Sequence, residues 1–265
     1  VTVPGNAGWP QLEIAVTGAA GARIAQNAGA DRVELCSALE LGGVTPSQGT
    51  VERVLAATGG GFGIHVLVRP RPGNFVYDAD DVATAEAEAA ALALQGVHGI
   101  VLGALDEARG IDIPTTQRLI NAARSINPQM GITFHRALDH TLDPLGAIEV
   151  LAALEIDRVL TSGQAAAAGD GVEMLSAMVA TARGRLEVMA GGGVTIAGLK
   201  ALLCTTGVAA AHLSAKVPGR RAASASVSLG SAATLDPDAY CVTDEGIVRE
   251  AVNVVRTQRT LGTRR

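Results

Sequence analysis

GITFHRALDHTLDPLGAIEVLAALEIDRVLTSG, residues 131–163, contains one complete passage from strand through loop and helix to strand. GITFHRA (Gly131–Ala137) alternates apolar and polar residues at the period of a strand. Asp143 stands where it can cap a helix, and Pro144 takes the first helical position. A helical window runs from Pro144 to Leu154. RVLTSG (Arg158–Gly163) is then a second short apolar run. Two neighbouring strands joined by a helix run parallel, because only a crossover of this length returns the chain to the same edge.

The passage recurs along the chain. Candidate strands are Leu12–Val16, Arg32–Cys36, Gly63–Pro70 and Gly99–Leu105, then Gly131–Ala137, Arg158–Gly163, Leu186–Gly192 and Ala209–Ala215. Between them lie helical windows such as Ala79–Gln95, Thr115–Ser125 and Val172–Ala182. Thr45 or Ser47 can cap the helix within TPSQGTVERVL, and Asp112 the one that Pro114 enters. About eight repeats predict a closed (β/α)8 TIM-like barrel, an α/β fold. An open doubly wound sheet uses the same local pattern, but no G-x-G-x-x-G follows the first strand. The domain reading is a single barrel domain over 1–265. It has an N-terminal extension at 1–10 and an irregular excursion at 217–240, a lid or contact surface before the C-terminal helix.

The composition fits. Hydrophobic residues make up 48% of 265, but aromatics only 2%, so small aliphatics must fill the core. The net charge of -5, with no basic stripe or stacking aromatics, argues against a nucleic-acid partner. Arg220–Arg221 reads as a solvated loop. No run is long and apolar enough for a bilayer, and VTVPGNAGWP has no signal core. Cys36, Cys204 and Cys241 are too few and too scattered for a disulfide framework. The expectation is a cytoplasmic, reduced protein. No C-x-x-C, H-E-x-x-H or G-x-S-x-G occurs.

Strand parity then sorts the polar residues. Leu12, Ile14, Val33, Leu35, Ile64, Val66, Ile132 and Phe134 form the face toward the helices. The opposite parity puts Glu13, Glu34, His65, Arg69, His135 and His212 inside the barrel. Buried charges must pair or stay wet, and clusters of this kind carry shifted pKa values. The set is either a polar core plug or a pocket at the C-terminal mouth, where barrel enzymes keep their chemistry. Glu34, His65, His135, His212 and Glu13 are the candidate acid–base residues. Arg69 and Arg71 in RPRPGNF either clamp an anion or pair with Glu13 or Glu34. Arg136, Ser162 and the backbone of Gly191, Gly192 and Gly193 are further anion-binding candidates.

The segments ADRVELC, GGVTPSQG, VRPRPGNFVY, TFHRALD, RVLTSGQ and MAGGGV, in this order, resemble the CutC copper-homeostasis family, as does the tail VTDEGIVREAV. The resemblance implies a cytoplasmic TIM-like barrel that forms a homo-oligomer, a dimer or tetramer, and binds Cu(I) in some members. It also implies two cysteine ligands, ending the first two strands. Here the second is Cys36, but the first position is Ala15. Cu(I) is soft and prefers thiolates, so Cys36 with His65 or Met189 would make only a weaker copper site. Two functions follow. One is a copper-handling protein that rests on Cys36. The other is a barrel enzyme of isomerase or lyase type, acting on a small anionic ligand, phosphorylated or not.

Overall fold

The computed structural model describes residues 10–219 and 240–262, with side chains through 258. Nearly all of the N-terminal extension, Arg220–Arg221 and most of the 217–240 excursion lie outside the described residues. Eight strands alternate with helices: β1 (Gln11–Val16), α1 (Ala19–Ala28), β2 (Arg32–Leu35), α2 (Gln48–Thr58), β3 (Gly63–Leu67), α3 (Ala79–Gln95), β4 (Gly99–Leu102) and α4 (Ile113–Arg124). The second half continues with β5 (Gly131–Phe134), α5 (Pro144–Ala153), β6 (Arg158–Thr161), α6 (Val172–Ala182), β7 (Glu187–Ala190), α7 (Ile196–Thr206), β8 (Ala210–Leu213) and finally α8 (Glu245–Gly262). All eight strands are parallel, each pairs with the next, and β8 returns to β1, so the sheet closes into a barrel. Closure leaves the eight-stranded sheet without an edge.

The helices begin where their capping chemistry places them. Asp143 accepts from Gly146 N–H at 2.9 Å and Asp112 from Thr115 N–H at 3.0 Å. For α2 the cap is Ser47, which accepts from Thr50 N–H at 3.2 Å. Thr45 instead accepts from Arg69 N–H and donates to Glu88, tying two βα loops to α3.

The apolar parity faces the helices as expected. Ile14, Val33, Ile64, Ile100, Ile132 and Phe134 are fully buried there, each contributing about 1.5–3 kcal/mol. Ala22, Ala25, Ala85 and Ala89 are equally buried, so α1 and α3 pack close to the sheet without aromatics.

The ladders end earlier than the apolar runs, at Leu67, Leu102, Phe134 and Thr161. One more barrel bond follows in places, such as His135 N–H to Leu102 O at 2.8 Å and Gly191 N–H to Thr161 O at 2.9 Å. The chain then leaves the sheet to reach its helix. At the mouth, β9 (Lys216–Pro218) and β10 (Cys241–Thr243) pair as an antiparallel ribbon, so both ends of the excursion are anchored side by side. Among the described residues no helix is long and apolar enough to cross a membrane.

Candidate active site

The barrel interior has two levels. In the lower one, Arg32 Nε donates to Glu13 Oε2 at 2.6 Å, and its other nitrogens reach Gln11 and the Met189 sulfur. Arg158 donates to Glu187 at 2.8 Å and to Thr133 at 3.3 Å. His65 is buried in this level, its ring standing where a side chain of Gly99 would begin. Burial, with Arg158 and Arg32 adding to it, lowers its pKa to about 3, so the ring is neutral. Arg32 and Arg158 are absent from the sequence-based candidates. Both open their strands at the interior parity, so extending the alternation back to the first residue of each run would have found them.

A polar series leads up from this level. Glu13 Oε1 lies 2.8 Å from His212 Nδ1, and His212 Nε2 lies 3.7 Å from Glu34 Oε2. Burial alone would raise the pKa of Glu13, but Arg32 and His212 hold it well below the usual carboxylate range. Burial raises Glu34 to about 7, opposed by His212 and reinforced by Glu13. Burial pulls His212 down, yet Glu34 and Glu13 outweigh it and move the imidazole upward. Glu13 is thus a fixed anion that orients His212, while Glu34 titrates close to neutrality and the two carboxyl groups favour the charged form of His212.

Above lies a cavity of about 290 Å³, whose wall includes Glu34, Arg69, His135, Arg136, Gly192 and His212. Arg69 is nearly inaccessible, yet no carboxylate among the described residues pairs with it. Its terminal nitrogens donate instead to Leu41 O, Gly43 O and Gly73 O at 3.1, 2.8 and 2.8 Å. His135 Nδ1 accepts from Ala137 N–H at 3.2 Å. Burial, with Arg69 beside it, lowers its pKa to about 3. The neutral ring therefore carries its hydrogen on Nε2.

Asp139 organises the end of β5. It accepts from Arg136 Nε at 2.8 Å, from Ser162 N–H at 3.0 Å, from Gln164 N–H at 3.2 Å and from the Thr161 hydroxyl. Arg136 also donates to Ser162 Oγ at 3.0 Å. Its guanidinium lies over Gly192, where a Cβ would be 2.8 Å from Cζ. Gly192 and Gly193 have φ of 91° and 63°, a turn that favours glycine. The N–H groups of Gly192, Gly193 and Val194 have no acceptor among the described residues.

The remaining sequence candidates lie off the cavity wall. Arg71 pairs with Asp81 at 2.6 Å and donates to Val76 O at 2.7 Å, away from both Glu13 and Glu34. Gly191 N–H is taken by β6. Ser162 is buried beneath Arg136, within 2.6 Å of Ala165 O. Glu13 and His65 lie in the lower level.

A model described as the CutC family matches residues 10–217. The chain belongs to the CutC family. Within it, the CutC-family protein of Aliivibrio fischeri is 41% identical over 206 residues, 78% of this chain and 82% of its own. Among solved structures, the CutC protein of Streptococcus agalactiae, provisionally assigned to copper homeostasis, superposes with a TM-score of 0.70. It is 29% identical and covers 77% of this chain and 98% of its own. KGPDC from Streptococcus mutans, only 14% identical, shares the barrel with a TM-score of 0.57 over 94% and 99% of the chains.

The donors present in this CutC chain do not fit Cu(I). Cys36 is buried against Leu67, Val101 and Leu39, and burial, then Glu34, pushes its thiol well above the ordinary range. A thiolate is the form that binds copper. Ala15 offers no second sulfur, and the Met189 sulfur accepts from Arg32. Among the described residues no group of three or more His, Cys, Asp or Glu is placed to hold a metal.

Proposed function

We propose that the barrel mouth of this CutC-family protein binds a small anionic metabolite and moves a proton on it, in an isomerase- or lyase-type reaction. The observation that carries this reading is the series Glu13–His212–Glu34, with separations of 2.8 and 3.7 Å, that ends on the cavity wall. A carboxyl group that titrates near neutrality beside an imidazole is matched to general acid–base work. Glu34 takes or returns the proton, His212 supplies its counterpart, and Glu13 fixes the imidazole. Arg136 and the unbonded N–H groups of Gly192, Gly193 and Val194 suit an anionic group. The charge of Arg69, unopposed by any carboxylate of the described residues, favours the same sign of ligand.

Calorimetric titration with inorganic phosphate and with pyruvate at low ionic strength tests the binding half. At least one is expected to bind with a dissociation constant of about 1 mM or below. Arg136→Gln should weaken phosphate binding roughly tenfold or more. Silence from both probes would remove the reading. A copper-handling role, suggested by the assignment of the Streptococcus relative, is tested in the same series. Cu(I) should be taken up weakly and equally by the wild type and Cys36→Ala, and a clear deficit in the variant would restore the copper reading.

A further inference from the structure

Two buried donors lie beside one aromatic ring. The Phe75 ring centroid lies 5.1 Å from Arg69 Cζ and 4.9 Å from the centroid of the His135 ring. Arg69 Nε and His135 Nε2 are both buried with no hydrogen-bond partner among the described residues. Nearly all buried donors in folded proteins have a partner, and the face of a phenyl ring is a weak acceptor. All three residues border the mouth cavity. The other two nitrogens of Arg69 are fixed on carbonyls of the loops after β2 and β3, so its Nε–H and charge are held in place.

Resting on the mouth reading above, we propose that Phe75 occupies the place of a ligand carboxylate. The ring turns aside, and the two oxygens of one carboxylate accept from Arg69 Nε–H and His135 Nε2–H. The rest of the ligand lies in the cavity with Glu34 and His212. One guanidinium and one neutral imidazole offer a single positive charge and two donors, which matches a monoanion. A phosphate dianion suits Arg136 and the glycine turn better. The moving part is the side chain, because the loop around it is pinned. Arg69 donates to Gly73 O, Arg71 to Val76 O, and Phe75 O accepts from Leu105 N–H at 2.9 Å. Phe75 itself is only partly buried, so its ring has solvent to turn into.

Proton–nitrogen NMR of the Arg Nε–H and His ring N–H signals, with pyruvate and inorganic phosphate as probes, tests this directly on the wild type. Pyruvate is expected to move both the Arg69 and the His135 donor signals downfield and to remove the ring-current shift from Phe75. Phe75→Leu should tighten pyruvate binding about threefold or more, because a ring that competes with the ligand lowers its apparent affinity. If pyruvate perturbs Glu34, His212 and Gly192 but leaves both donors unmoved, the subsite is overturned and the mouth reading stands. Phosphate binding with pyruvate silent gives the same result. No response to either probe overturns the mouth reading, and this inference with it.

Discussion

Gly103 has no side chain because the His135 ring stands where one would begin. A Cβ there would sit 2.5 Å from His135 Nδ1, and Gly99 one level lower makes the same room for His65. Gly103→Ala is therefore expected to lower stability by about 1–3 kcal/mol, read by urea denaturation. Wild-type stability would mean that the ring lies elsewhere. The placing of His135 inside the barrel was legible from alternation alone, since one residue of shift would have put Phe134 there instead. The pairing of small with large was not legible. It depends on the register between adjacent strands, which sets Gly99 opposite His65 and Gly131.

At the scale of the element, the turn that follows β5 depends on one carboxylate. Asp139 holds Arg136, two residues at the end of β6 and Gln164, so it joins two βα loops at the cavity rim. Asp139→Ala leaves several buried or half-buried donors without an acceptor. It should cost on the order of 2–4 kcal/mol, and it should also weaken anion binding by releasing Arg136. Denaturation and calorimetry together check this, and an unchanged stability would show that the hub is not formed. In the sequence, His135, Arg136 and Asp139 were recognisable as polar residues leaving a strand. The ends of the strands were not, because the apolar runs continue past the last ladder bond. Arg71 shows the same difficulty: two arginines in one loop read alike, but Asp81 at the start of α3 takes only the second.

At the scale of the molecule, the interior is a polar plug below and a cavity above, and the buried imidazoles make the plug sensitive to acid. His65 has a pKa of about 3 in the fold and about 6.5 in an unfolded chain. Between these values the unfolded chain binds a proton that the fold excludes. Stability from His65 is therefore present above pH 6.5 and lost as pH falls toward 3. His65→Phe should leave stability at pH 7 within about 1.5 kcal/mol and make the acid slope shallower by up to about 1.4 kcal/mol per pH unit. Urea midpoints between pH 4 and 7 measure it, and an unchanged slope would rule out a neutral, buried His65. The sequence by itself determined the barrel, most of the helix caps and the inner face of β1, β2, β3, β5 and β8, because alternation, capping and turn chemistry are local. Only the tertiary structure decided that Glu13 belongs to Arg32 and His212, that Arg69 meets no carboxylate among the described residues, and that Cys36 lies among apolar neighbours. Those outcomes depend on which residues from distant strands meet at one height inside a closed sheet, and that height is fixed by the register around the whole barrel.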